Sequence, residues 1–254
     1  MKLIIALLFI VNLSVVFAQE NSSPKIKGYD DITIISDLDD TIKITNVGDT
    51  SDMIINGIFR EKLFAGSVEL YRALVPNNRP YYIVSGSIKY LRSRIEDTLD
   101  DNRMPKAEII LKELHDGNTR DYKIRKIKKI ISETSGSFIL LGDDTEYDPD
   151  VLLAIKSEFP ERVIGTYIRS IRGRTLEAPL KSYLTVYEVA YEEVKAGRMD
   201  KAALPEIEET LLKSKEKLLL PPYISCELYP ELSKRMSSTL SQKVKEICHK
   251  KEFY

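Results

Sequence analysis

Short apolar runs that end abruptly on acids, serines or glycine constrain this chain most. Ile32-Thr33-Ile34-Ile35 is β-branched throughout and leads into Asp37-Leu38-Asp39-Asp40-Thr41. Tyr81-Tyr82-Ile83-Val84 leads into Ser85-Gly86-Ser87, and Phe138-Ile139-Leu140-Leu141 into Gly142-Asp143. Residues 107–111 and 163–168 complete the set. Short runs without clean polar alternation suit strands buried on both faces.

Between these runs the apolar residues recur at helical spacing. Val68, Tyr71 and Leu74 form one stripe, and Leu91, Ile95 and Leu99 a second. Ile124, Ile127 and Ile131 form a third, and Val151, Leu152 and Ile155 a fourth. Strands separated by helices of this length predict βαβ units and an α/β fold: a parallel sheet with helices on both faces.

From about Leu184 the pattern is helical only. Tyr183, Val186, Tyr187, Ala190 and Val194 share one face. A second helix is expected over residues 204–218, closed by Pro221-Pro222. A third is expected through Leu232, Met236, Leu240, Val244 and Cys248. The expected organisation is a leader over residues 1–18, an α/β domain over 19–180 and a C-terminal helical extension over 181–254.

The leader carries Lys2 as its one charge, then an apolar run, then Val16-Phe17-Ala18 before Gln19. Small residues at 16 and 18 fit a signal-peptide cleavage site, so export after cleavage near Ala18 is expected, to a periplasm or outside the cell. The run is short for a bilayer span. No later stretch is apolar enough to cross a membrane, so the mature chain is expected to have no transmembrane segment. In an oxidising compartment Cys226 and Cys248, the two cysteines, are expected to pair.

The chain is 43% hydrophobic and 30% charged, which supports a real core and argues against disorder. Its 38 Lys+Arg nearly balance its 39 Asp+Glu, so no basic field points to nucleic acid.

The chemistry lies where the runs end, at the strand carboxyl ends where open α/β sheets bind ligands. Asp37 and Asp39 stand two apart in one loop, so one can attack while the other handles protons. Read alone, that loop also suits a Ca²⁺ site or a helix cap. Ser85, with the exposed backbone N–H groups around Gly86, can hold phosphate oxygens. Lys123 can neutralise an anionic site, with Arg125, Lys126, Lys128 and Lys129 as rivals. Acids in Gly142-Asp143-Asp144-Thr145-Glu146-Tyr147-Asp148-Pro149 can complete an oxygen shell for Mg²⁺, and Asp148-Pro149 also reads as an N-cap followed by Pro at the first helical position. Asp, Ser, Lys and Asp at successive strand ends and helix starts make a phosphoryl-transfer constellation.

In these residues the chain resembles the haloacid dehalogenase (HAD) superfamily, whose first motif is DxDx[T/V]. More narrowly, it resembles the phosphatidate phosphatase catalytic domain of the App1 type. That likeness is carried by Asp37-Leu38-Asp39-Asp40-Thr41, Val84-Ser85-Gly86-Ser87, Gly142-Asp143 with Asp148-Pro149, and Tyr167-Ile168-Arg169. It covers roughly residues 31–172.

The resemblance implies a Rossmann-like HAD core and Mg²⁺-dependent phosphomonoester hydrolysis through an aspartyl-phosphate, with phosphatidate at a membrane surface as the suggested substrate. By the same implication Asp37 is the nucleophile and Asp39 the general acid/base. Asp37, Asp39, Asp143 and Asp148 serve the metal, with Asp144 competing with Asp148. Thr41, Ser85, Gly86 and Lys123 hold the phosphoryl group. Where relatives carry Ser-Pro-Trp, this chain has Ser87-Ile88-Lys89. Residues 45–64 are expected to form a flap, and Arg60, Lys62 and Lys89 to meet an anionic headgroup. The competing readings are a phosphatase of soluble phosphomonoesters and a catalytically silent Mg²⁺-binding module.

Overall fold

The computed structural model describes residues 31–45, 62–76 and 79–251. The expected leader, and residues 46–61 of the flap expected over 45–64, Arg60 among them, lie outside these.

Among the described residues six parallel strands form one sheet: β1 (Ile32–Ser36), β2 (Tyr81–Ile88), β3 (Glu108–Lys112), β4 (Ser137–Asp143), β5 (Val163–Arg169) and β6 (Lys181–Tyr183). Their order is β3-β2-β1-β4-β5-β6. The chain runs outward from β1 to β3, then returns to the other side of β1 to place β4. That reversal opens a crevice at the carboxyl ends of β1 and β4, the place where such sheets take their ligands.

Successive side chains of a strand point to opposite faces. Ile34, Ile83, Ile139 and Tyr167 therefore join one apolar cluster, while Ile35, Val84, Leu140 and Ile168 join another. With both faces covered, neither face needs polar residues, which is why the strands read as unbroken apolar runs.

Helices α3 (Thr119–Glu133) and α4 (Asp148–Glu158) cover the second face with Tyr122, Ile127, Ile131, Val151 and Ile155. Helices α1 (Ser67–Leu74) and α2 (Arg92–Asp101) cover the first with Leu70, Tyr71, Ile95 and Leu99. The C-terminal helices α5 (Val186–Lys195), α6 (Ala203–Lys213), α7 (Glu216–Leu219), α8 (Tyr229–Leu232) and α9 (Ser238–Lys251) join that same core through Val189, Ile207, Leu211, Leu219, Leu232, Val244 and Cys248. Cys226 and Cys248 form a disulfide across this layer.

Three details depart from the sequence reading. The sheet continues past residue 180 into β6, too short to show a period and held by pairing of Tyr167, Ile168 and Arg169 with Lys181, Ser182 and Tyr183. The helix expected over 204–218 ends at Lys213. There Ser214 turns extended, its hydroxyl donates to Leu211 O (2.7 Å), and Lys243 Nζ donates to the carbonyls of Leu211, Leu212 and Ser214. Lysine at a helix C-terminus satisfies carbonyls that have no partner within the helix. The helix expected through Leu232 and Cys248 is split after a 3-10 turn, Ser233–Arg235. Met236 is extended, and the Ser237 hydroxyl accepts the Leu240 N–H to start α9 (3.1 Å).

Candidate active site

Asp37 follows the last residue of β1, and its N–H donates to Leu141 O of β4 (2.9 Å). The loop then turns sharply at Asp40, a non-glycine residue in the left-handed region (φ 54°). Its buried carboxylate organises that turn: Oδ1 accepts the Thr45 N–H (3.0 Å) and the Tyr223 hydroxyl (2.7 Å). Asp and Asn tolerate this conformation because their short polar side chains bond locally. From below, Arg169 Nε and Nη2 both donate to Thr41 O (3.1 and 3.0 Å). Its buried guanidinium lies 4.0 Å from the Phe64 ring centre and 4.8 Å from that of Tyr183.

The loop faces two further acids. Asp37, Asp143 and Asp148 are buried, and each offers a carboxylate oxygen within 4.8 Å of the others. Asp143 ends β4. The Thr145 N–H donates to its Oδ1 (2.7 Å), as does the Thr145 hydroxyl, and the Thr41 hydroxyl lies 3.5 Å from its Oδ2. Asp148 is the first residue of α4, with Tyr147 as the N-cap and Pro149 second. This corrects the expected register by one residue, and the Asp148 carboxylate turns into the site instead of capping. Gly142 makes room for it, since a Cβ there would stand 2.6 Å from Asp148 Oδ2.

Lys123 on α3 donates to Asp37 Oδ1 (2.8 Å) and Asp148 Oδ1 (2.5 Å). Its rivals face elsewhere: Arg125 and Lys126 toward Asp116, Lys128 toward Glu158 and Lys129 toward Glu133. Three carboxylates against one ammonium leave an excess of negative charge in a buried place. Burial, with repulsion from Asp148, Asp143 and Asp39, lifts the Asp37 carboxyl well above its ordinary range, against the pull of Lys123. Burial and then Asp148 push Asp143 up to about 7. Burial works to lower Lys123, but Asp148 and Asp37 outweigh it and hold its ammonium protonated. Such a cluster fits a hard divalent cation: the donors are all carboxylate oxygens, and two added positive charges would offset the imbalance.

Asp39 is placed differently. Its carboxylate stands apart from the three acids and accepts the Ser87 hydroxyl (2.7 Å) and the Ser85 hydroxyl (3.3 Å), with Lys43 Nζ at 3.7 Å. Ser85 and Gly86 thus sit beside Asp39 at the end of β2. A Cβ on Gly86 would stand 2.8 Å from Thr119 Cγ2, so glycine lets this strand end approach the start of α3. Asp144, the competing acid, accepts the N–H groups of Ile171 (2.6 Å), Arg172 (2.7 Å) and Arg174 (3.0 Å). It fastens the loop after β5 and is not one of the three clustered acids.

Sequence reasoning gave no role to Ser87, Arg169 or Tyr223. Ser87 and Arg169 lie in segments it singled out, so their position was a usable signal. Nothing local marks Tyr223, which reaches Asp40 from 183 residues away.

Residues 32–170 match the family described as phosphatidate phosphatase APP1, catalytic domain. No curated protein and no solved structure matches the chain. The matched span runs from β1 through β5 and contains the three clustered acids, Lys123, Asp39, Ser85 and Arg169.

Proposed function

The chain belongs to the family of APP1-type phosphatidate phosphatase catalytic domains and is a phosphatase, and on that premise we propose that it hydrolyses phosphatidate to diacylglycerol and phosphate through an aspartyl-phosphate on Asp37. The observation that carries the mechanism is the meeting of Asp37, Asp143 and Asp148 around Lys123 at the carboxyl end of β1.

Asp37 is the nucleophile. It leaves a strand rigidly paired on both sides, so its carboxylate is held in place before substrate arrives. Lys123 favours the ionised form that attack requires. A divalent cation held by Asp37, Asp143 and Asp148, Mg²⁺ by the hardness of the donors, would supply charge neutralisation for the phosphoryl oxygens. Attack on phosphorus forms the Asp37–phosphorus bond as the bond to the leaving alcohol breaks. Asp39 gives that alcohol its proton. It then takes one from the water that cleaves the aspartyl-phosphate and releases inorganic phosphate. Ser85 and Ser87 fix the Asp39 carboxylate on this side of the loop. Thr41, Ser85, the Gly86 backbone and Lys123 hold phosphoryl oxygens.

Export is part of this reading. It is supported by the apolar run and small residues before Gln19, and by a disulfide of the kind that persists in oxidising compartments. Among the described residues no helix is long and apolar enough to cross a membrane.

The test is phosphate release from phosphatidate in vesicles beside a panel of soluble phosphomonoesters, with Mg²⁺ and with EDTA. Metal-dependent release that favours phosphatidate supports the proposal. Release from soluble esters alone moves the substrate to that class. No release from any ester, with cation binding intact, would mark a silent metal-binding module.

A further inference from the structure

Among the described residues, the large apolar side chains that stand exposed are Ile88, Tyr90, Leu91, Leu114 and Tyr147. All five lie at the carboxyl ends of strands. Ile88 ends β2, and Tyr90 and Leu91 lie in the 3-10 turn Lys89–Leu91 that follows it. Leu114 opens the 3-10 turn Leu114–Asp116 after β3, and Tyr147 caps α4 after β4. In the sheet order β3-β2-β1-β4 they flank the Asp37 loop on both sides. Tyr90 is 85% exposed and Leu114 86%, values at which neither side chain contributes to the fold's own core.

Scattered exposed apolar residues need no explanation, but a set confined to the mouth of one site does. On the β2 side of this rim the charge selects the occupant, while Leu114 and Tyr147 stand beside Glu113 and Glu146, and Arg92 pairs with Glu96 (3.2 Å). Residues 85–94 carry Lys89, Arg92 and Arg94 and no carboxylate. Lys89 bonds Glu113 (3.0 Å) yet keeps a side chain 60% exposed. Aromatic and aliphatic side chains interleaved with cations suit the boundary between headgroups and acyl chains, where tyrosine keeps its hydroxyl wet and its ring buried.

We propose that this rim is an interfacial docking surface: Ile88, Tyr90, Leu91, Leu114 and Tyr147 enter the surface of an anionic bilayer and present the Asp37 site to lipid phosphate. The inference rests on the phosphatidate reading for its purpose, though not for its geometry. Docking removes the need to extract a lipid into water, because the reacting phosphate is met at the membrane plane.

The chain has no tryptophan, so Tyr90→Trp introduces a single indole. Its emission should shift to the blue on addition of phosphatidylcholine vesicles containing phosphatidylglycerol. The shift should weaken with phosphatidylcholine alone and in high salt. In sedimentation with the same anionic vesicles, the Tyr90→Ser/Leu114→Ser double variant should lose at least about tenfold in partitioning, as expected for removing two buried apolar side chains. Its hydrolysis of a soluble aryl phosphate should be unchanged. Phosphatidylglycerol is a phosphodiester, so binding to it reads docking apart from turnover. Docking without phosphatidate hydrolysis supports the surface and removes only the substrate reading. An unshifted indole, a wild type that stays in the supernatant, or a double variant that partitions like wild type overturns the proposal.

Discussion

The hydroxyl of Tyr223 donates to Asp40 Oδ1 at 2.7 Å, tying the segment between α7 and α8 to the turn that carries the candidate nucleophile. Asp40 holds that turn in a left-handed conformation, so this contact bears directly on where Asp37 and Asp39 point. The same segment touches the site once more, where the Ser225 N–H donates to Ile171 O (2.8 Å) beside the loop fastened by Asp144. Tyr223→Phe removes the hydrogen bond to Asp40 and leaves the ring. We expect a loss of about 1 kcal/mol in stability and a several-fold fall in kcat with KM little changed. Thermal unfolding and steady-state kinetics on an aryl phosphate check both.

The disulfide between Cys226 and Cys248 closes the segment just after Tyr223, its ends 22 positions apart. On the chain-entropy argument it contributes about 3 kcal/mol. The Cys226→Ala/Cys248→Ala variant, or reduction of the native protein, should lower Tm by roughly 6–12 °C. Differential scanning calorimetry with and without reductant measures this.

Gly142 stands against Asp148, with an added Cβ 2.6 Å from its Oδ2. The obstacle is a buried carboxylate bonded to Lys123, so it cannot swing away freely. Gly142→Ala should cost about 1–3 kcal/mol in stability and weaken divalent-cation binding by roughly tenfold or more. Calorimetric titration with Mg²⁺ or Mn²⁺ reads the second effect.

Asp143 is pushed up to about 7 from an ordinary value of 3.8. A carboxyl whose folded value exceeds its unfolded one favours folding in its protonated form. Its contribution is complete below about pH 4 and is lost as pH rises toward 7. In EDTA, then, this group destabilises the protein increasingly over that window. A cation bound to the carboxylate would displace the proton, so the stabilisation gained from added Mg²⁺ should grow from pH 5 to pH 7. Thermal shifts recorded with Mg²⁺ and with EDTA across that range test the sign; an increment that does not change with pH contradicts it.

Much of this arrangement is legible in the residues themselves. A strand buried on both faces writes itself as an uninterrupted apolar run, and Ile32, Tyr81, Phe138 and Val163 all open or extend such runs. Because ligands gather at strand carboxyl ends, Asp37, Ser85 and Asp143 could be nominated from position alone. What the residues hide is set by distant partners. β6 exists because Arg169 and its neighbours offer an edge for it. The helix break at Ser214 depends on Lys243, 29 residues on, capping the carbonyls that a longer helix would have used. That Asp148 and not Asp144 joins the acid cluster follows from which acid faces Lys123 and which faces the backbone of 171–174. Tyr223 has no local signature at all.

The central claim is that Asp37 accepts the phosphoryl group while Asp39 manages protons. On that proposal Asp39→Asn should slow the water attack and leave the aspartyl-phosphate intact for longer. Mass spectrometry of that variant, quenched in acid after brief exposure to an aryl phosphate with Mg²⁺, should find one added phosphoryl group on the peptide bearing Asp37. Asp37→Asn should fold normally by circular dichroism, carry no phosphoryl group and lose about four orders of magnitude in turnover. Label on another residue, or an Asp37→Asn protein that still turns over substrate, would contradict the account.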